Sequence, residues 1–170
     1  MNKLYILCGL PYSGKTYLAK EIVKQFGFIQ VSIDDILFAK GFDWDHFEQI
    51  GPAGWQSIFN QAFSDIKLAL KEGKTVIYDS ANQDRSSRNK LRTLAQEAGV
   101  EFRIIWLNIP LPILKQRWLA NQTDKKRFHL PDYLFQAAVD SYEPPDSEDN
   151  VLELSEKDNL TDWINKNLES

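Results

Sequence analysis

The stretch "CGLPYSGKT", Cys8 to Thr16, spells G-x-x-x-x-G-K-T through Gly9, Gly14, Lys15 and Thr16, directly after the apolar run "KLYILC". A strand, a glycine-punctuated loop and a helix in that order gather backbone N–H groups around one concavity at the positive end of a helix. Phosphates are what such a concavity holds. In this spacing Lys15 reaches the β- and γ-phosphates and the Thr16 hydroxyl binds Mg²⁺. Leu10, Pro11, Tyr12 and Ser13 form the rest of the cradle, and Tyr17 follows it into the helix. A turn that only joined strand to helix would not require a lysine and a threonine in these places. The loop therefore marks a nucleotide site, but leaves open whether the phosphate is transferred, lost to water or sensed.

The rest of the chain has the patterning that such a loop needs around it. "KLYILCG", "GFIQVSI", "TVIYDS", "EFRIIWLNI" and "NVLELS" are short, rich in β-formers and bounded by turn signals, so five strands are expected. Helical periodicity lies between them at about 15–26, 54–72, 84–98, 112–121 and 131–142, and "NLTDWINKNL" closes the chain as a sixth helix. Gly27, Gly73 and Gly99 stand just past three of these helices, where a left-handed cap is wanted. Strand–helix alternation implies an α/β fold, a parallel sheet covered on both faces and binding ligands at the carboxyl ends of its strands. "LAKGFDWDHFEQIGPAGW" looks like an insertion over one face, and "NQTDKKRFH" like a basic interruption between two helices.

Length and composition narrow the classes. At 170 residues the chain suits one domain. A net charge of -4 argues against a generic binder of nucleic acid or acidic membranes. No apolar run approaches the ~18 residues of a membrane span. The opening segment reads as a core strand and not a signal peptide, so a cytoplasmic location is expected. The single cysteine, Cys8, lies in an apolar run and reads as a small buried thiol.

Acidic residues cluster at the strand ends. "VSIDDILF" sets Asp34 and Asp35 just beyond the second strand. For Asp35 the expectation is a helix cap or first-turn charge, with acceptor contact as the alternative. For Asp34 it is function, because phosphoryl transfer to a hydroxyl needs a carboxylate to orient and deprotonate the acceptor. Asp79 ends a strongly apolar strand, where a carboxylate is costly to bury unless it is paired or near a metal. The Mg²⁺ shell is its obvious use, and anchoring the following loop is the other. Phe38, Phe42, Trp44, Phe47 and Trp55 concentrate around the insertion after Asp34, as core or as a partly apolar acceptor pocket.

"GLPYSGKT", "VSIDDI", "VIYDSANQDRSSR", "ILKQRW" and "LPDYLFQAAVDSYEPP" occur in the order found in a family of small P-loop kinases, which this chain resembles from Met1 to about Leu154. These are the AAA-type ATP-binding or predicted-kinase domains. They are related to the bacteriophage polynucleotide 5′-kinase and, more distantly, to zeta toxins and chloramphenicol phosphotransferase. The resemblance implies a three-layer fold with strand order 2-3-1-4-5, ATP in preference to GTP as donor, and a mobile lid at about 121–131. It implies Asp34 as general base and Asp79 near acceptor or metal. It also implies Arg85 and Arg88 on the acceptor side, with Arg117 as the first of two lid arginines.

Two positions depart from that family's pattern. Polynucleotide kinases carry an arginine three residues after the base, where this chain has Leu37, which disfavours a nucleic-acid acceptor. The second lid arginine is replaced by Asn121, with Lys125, Lys126 and Arg127 following. Arg127 is the residue expected to supply the lid cation for the transferred phosphoryl group. His46 and His129 are too isolated to form a metal or triad constellation. The expected activity is transfer of the γ-phosphate of ATP, with Mg²⁺, to a hydroxyl of a small molecule, nucleoside or nucleic-acid end. A nucleotide-binding or slowly hydrolysing switch and a polynucleotide 5′-hydroxyl kinase are the alternatives.

Overall fold

The computed structural model describes residues 2–146 and 150–168. Its five strands are β1 (Lys3–Cys8), β2 (Ile29–Ser32), β3 (Val76–Asp79), β4 (Glu101–Asn108) and β5 (Val151–Ser155). They form one all-parallel sheet in the order β2-β3-β1-β4-β5, with β1 paired to β3 and β4 on its two sides. Both the strand count and the order agree with expectation.

The reason β1 reads as a continuous apolar run is visible in its packing. Leu4, Ile6 and Cys8 face one helical layer, whose core includes Ile58, Ile66 and Leu91. Tyr5 and Leu7 face the other, against Leu18, Ile22 and Trp163. A strand buried on both faces has no polar side to alternate with. The first layer comes from α2 (Ile33–Ala39), α3 (Gly51–Lys71) and α4 (Arg85–Glu97), and the second from α1 (Lys15–Phe26) and α7 (Leu160–Asn167). Helices α5 (Leu111–Asp124) and α6 (Asp132–Asp140) close a third small core with Tyr12, Leu114 and Phe135.

Four elements depart from expectation. The expected insertion, Leu37 to Trp55, takes in the end of α2, a 3-10 turn at Trp44–Gln49 and the start of α3. Neither α2 nor the 3-10 turn shows a full helical period, because each spans two turns or fewer. Helix α3 starts at Gly51, three residues early, with Pro52 in its first turn, where proline's missing N–H costs nothing. Helix α5 runs on to Asp124 and stops at Lys125, which adopts a left-handed conformation (φ 47°). The start of the expected lid is therefore helical. Among the described residues no helix is long and apolar enough to cross a membrane.

Candidate active site at the carboxyl ends of the strands

The phosphate loop leaves the central strand between β3 and β4. Gly9 is required by close approach: a Cβ there would lie 2.9 Å from Ser13 Oγ and 3.1 Å from the Leu107 carbonyl oxygen. Gly14 caps α1 at φ 100°, a conformation that side chains disfavour. The Lys15 ammonium donates to the carbonyl oxygens of Gly9 (2.8 Å) and Leu10 (2.9 Å). Burial lowers its pKa to about 8, with the Asp79 charge opposing that shift. Tyr12 also takes a left-handed conformation (φ 67°), which turns its side chain into the α5–α6 core.

Two carboxylates border the same cavity, Asp79 against the loop's Thr16 and Asp34 beyond it. The Asp34 pKa is raised, first by burial and then by the neighbouring Asp79 charge, while the Trp44 indole N–H donates to its carboxylate and opposes the shift. Asp79 lies in register with Ser32 at the end of β3 and is only 6% exposed. Burial raises its pKa as well. A hydrogen bond from Thr16, the Lys15 charge and a hydrogen bond from Gln30 (3.1 Å to Oδ2) hold it back. Lys15, Thr16, Asp34 and Asp79 border one cavity of about 550 Å³, together with Ser80, Arg127 and an aromatic wall.

The lid is built on the phosphate loop itself. The Tyr12 hydroxyl accepts from the Leu130 N–H (3.1 Å) and donates to the Phe128 carbonyl (3.4 Å). The Arg127 guanidinium lies 5.0 Å from the centre of the Tyr12 ring, a cation–π contact. Asn121, at the place of the missing arginine, is buried and holds the main chain of Arg127 at both ends. Its amide donates to the Arg127 carbonyl (3.1 Å) and its oxygen accepts from the Arg127 N–H (3.3 Å). Arg117 donates to the carbonyl oxygens of Tyr12 (3.1 Å) and Ser13 (3.5 Å). The lid also touches the insertion: Phe128 stacks on Trp44 at 6.0 Å and meets Phe47 edge-on.

Several expected acceptor residues are placed elsewhere. Arg88 is 1% exposed and donates to the carbonyl oxygens of Asn82 (3.3 Å) and Glu143 (2.8 Å), so it braces the loop after β3 from within. Arg85 pairs with Asp146 at 3.0 Å and borders a separate groove with Asn89 and Lys90. Asp35 faces a second groove beside Gln30 and Gln61, and its N–H donates to Ser32, the cap of α2. The Tyr17 side chain is exposed beside Asn159, outside the cavity. Leu37 is fully buried in the core against α3, so the position of the polynucleotide kinases' arginine points away from the site. His46 pairs with Asp43 on the surface, whereas His129 stacks on Trp118 in the lid.

Sequence reasoning missed Phe59 and Phe128 in the cavity wall. Phe59 had a readable signal, since it stands four residues after Trp55 on the same helix face. Phe128 had none, because only the folded lid brings it to Trp44.

A five-stranded parallel sheet in this order, with the lysine-bearing loop after its central strand, defines a P-loop, kinase-like nucleotide-binding fold. Residues 4–145 match the family model described as an AAA domain, and the chain belongs to that P-loop kinase family. The L-seryl-tRNA(Sec) kinase of Methanococcus maripaludis is 25% identical, the match covering 98% of this chain and 65% of that protein. Protein KTI12 of Saccharomyces cerevisiae is 27% identical over 95% of this chain and 54% of its own. The structure of Chaetomium thermophilum Kti12 in complex with ADP-AlF3 superposes with a TM-score of 0.74, at 17% identity over 96% of each chain. The chain spans about half to two thirds of the length of the curated relatives it matches.

Proposed function

We propose that the protein is an ATP-dependent phosphotransferase that moves the γ-phosphate to a hydroxyl group. The observation that carries this reading is the Asp34 carboxylate, facing Lys15 and Thr16 across one roofed cavity. A site that only held a nucleotide needs no carboxylate on the far side. In the reaction the acceptor oxygen bonds to the γ-phosphorus and the bond to the β–γ bridging oxygen breaks. The electron pair leaves with ADP, and the acceptor proton passes to Asp34. The raised Asp34 pKa suits that task, because a more basic carboxylate takes a proton more readily.

Lys15 and Arg127 approach the phosphates from the loop and the lid, where charge builds on the transferred group. Arg117 holds the loop, and the buried Ser13 hydroxyl, with no partner inside the protein, is a donor for a bound phosphate oxygen. Thr16 and Asp79 suit Mg²⁺: they are hard oxygen groups side by side, and that ion keeps most of its shell as water and phosphate oxygen. When bound it supplies charge neutralisation along the phosphate chain. Expectations of ATP over GTP and of Arg127 as lid cation are part of this proposal, as are a single domain and a cytoplasmic location.

Purified protein with γ-labelled ATP, screened against amino alcohols, sugars, nucleosides and 5′-hydroxyl oligonucleotides, tests the reading. Labelled phosphoester is expected with at least one class. One second reading is a nucleotide-dependent switch, in keeping with the related Kti12 structure that holds ADP-AlF3. In that case no acceptor is labelled and Asp34→Asn leaves ATP turnover unchanged.

A further inference from the structure

The acceptor side of the cavity has an unusual composition. Its far wall is formed by Phe38, Trp44, Trp55, Phe59 and Phe128. Phe38 and Phe59 are 52% and 38% exposed, so their rings are not consumed by core packing. Among the described residues the cavity's cations are Lys15, bonded to loop carbonyls, and Arg127, held over the Tyr12 ring and also bordering the adjoining groove with Phe38, Trp44 and Phe128. The charge on the acceptor side is the Asp34 carboxylate, whereas Asp79 is held at the phosphate end by Thr16 and Lys15. An acceptor bearing a phosphate or carboxylate is repelled there, and more so with nucleotide phosphates on the loop.

A nucleobase fits this wall poorly too. Among the described residues the lining has no asparagine or glutamine and only one serine, Ser80, so the carbonyl groups of a base would find few donors to replace their water. Nor is there a slot to enter. Trp44–Trp55, Trp44–Phe128 and Trp55–Phe59 are already in contact at centroid separations of 5.9, 6.0 and 6.1 Å. A quaternary alkylammonium group has neither difficulty: aromatic faces attract it electrostatically, and it has no N–H group to satisfy.

We infer that the acceptor is a small hydroxyalkyl-ammonium compound, its cationic head against Trp44, Trp55 and Phe59 and its hydroxyl at Asp34. The inference rests on the phosphotransferase reading but is separable from it. The hydroxyl oxygen takes the γ-phosphoryl group, Asp34 takes the proton, and the ammonium group is unchanged.

Calorimetric titration of the full chain with choline, in the presence of ADP, tests recognition directly. The controls are 3,3-dimethylbutan-1-ol, the same shape without the charge, and 3-hydroxypropanoate, which carries the opposite charge. Choline is expected to bind about tenfold more tightly than its neutral isostere, and 3-hydroxypropanoate not at all. Phe59→Leu, at an exposed ring, is expected to remove most of that preference while leaving the melting temperature close to wild type. Equal binding of the isostere, tighter binding of the anion or no binding of choline overturns the inference. Choline binding without labelled phosphocholine supports the recognition class and removes the transferase reading. Labelled phosphate on an anionic alcohol or an oligonucleotide, with no choline binding, does the reverse.

Discussion

Burial and the Asp79 charge make Asp34 a carboxyl that holds its proton at a higher pH than an exposed one. Transfer needs the ionised form, so the acidic limb of the pH–rate profile should lie above the ordinary carboxylate range. The same shift works against stability. Between the unfolded and folded pKa values the folded state binds more protons, so stability falls as pH rises through that window. Asp34→Asn is therefore expected to melt at a higher temperature than wild type at about pH 7.5. The gap should close as the pH drops below the unfolded carboxyl value, where both states carry the proton. Differential scanning calorimetry at both pH values checks this. Lys15 behaves oppositely. Its pKa of about 8 means the unfolded chain binds more protons between there and the ordinary 10.5, so stability rises with pH across that range. Nucleotide phosphates favour the charged ammonium. At about pH 8.5 ADP binding should take up a proton, and its calorimetric enthalpy should vary with the ionisation enthalpy of the buffer. At about pH 6, where Lys15 is already charged, its contribution should vanish.

Among the elements, the lid depends most on contacts that no local pattern announces. Its three basic residues and its place between two helices were legible in the sequence. That Asn121 would replace an arginine by clamping the main chain of Arg127 was not, because the bond forms only when α5 extends past the expected end. Asn121→Ala leaves two main-chain groups without those partners, a loss of about 1–2 kcal/mol. Tryptic cleavage after Lys125–Arg127 should then accelerate roughly 5- to 30-fold, read by mass spectrometry of timed digests. The strands were the most legible part, since burial on both faces makes each an apolar run. The resemblance set Arg88 of α4 on the acceptor side, and the structure gives it carbonyl oxygens of its own chain as partners. Donor-rich side chains brace loops as readily as they bind phosphates.

At the scale of the molecule, the net charge is -4, Arg85 is paired with Asp146, and Leu37 is buried where the resemblance places the arginine of polynucleotide kinases. Leu37 is part of the α2–α3 core and not of the cavity. Restoring the arginine of those relatives by Leu37→Arg should destabilise the fold by about 3 kcal/mol or more, without creating oligonucleotide phosphorylation. Thermal denaturation beside a labelled-oligonucleotide assay reads both effects.

The fold joins a phosphate loop on the central strand, the Asp34 carboxylate two strands away and a lid anchored to the loop by Tyr12. We propose that phosphate leaves this loop for a hydroxyl held at Asp34. Single-turnover reaction of γ-labelled ATP with a responding acceptor, in wild type and Asp34→Asn, tests that claim most directly. Wild type should form one phosphoester per ADP released. Asp34→Asn should lose about 10²- to 10⁴-fold in transfer rate while binding ADP as before. ADP released at equal rates by both proteins, with the phosphate recovered only as inorganic phosphate, would contradict it.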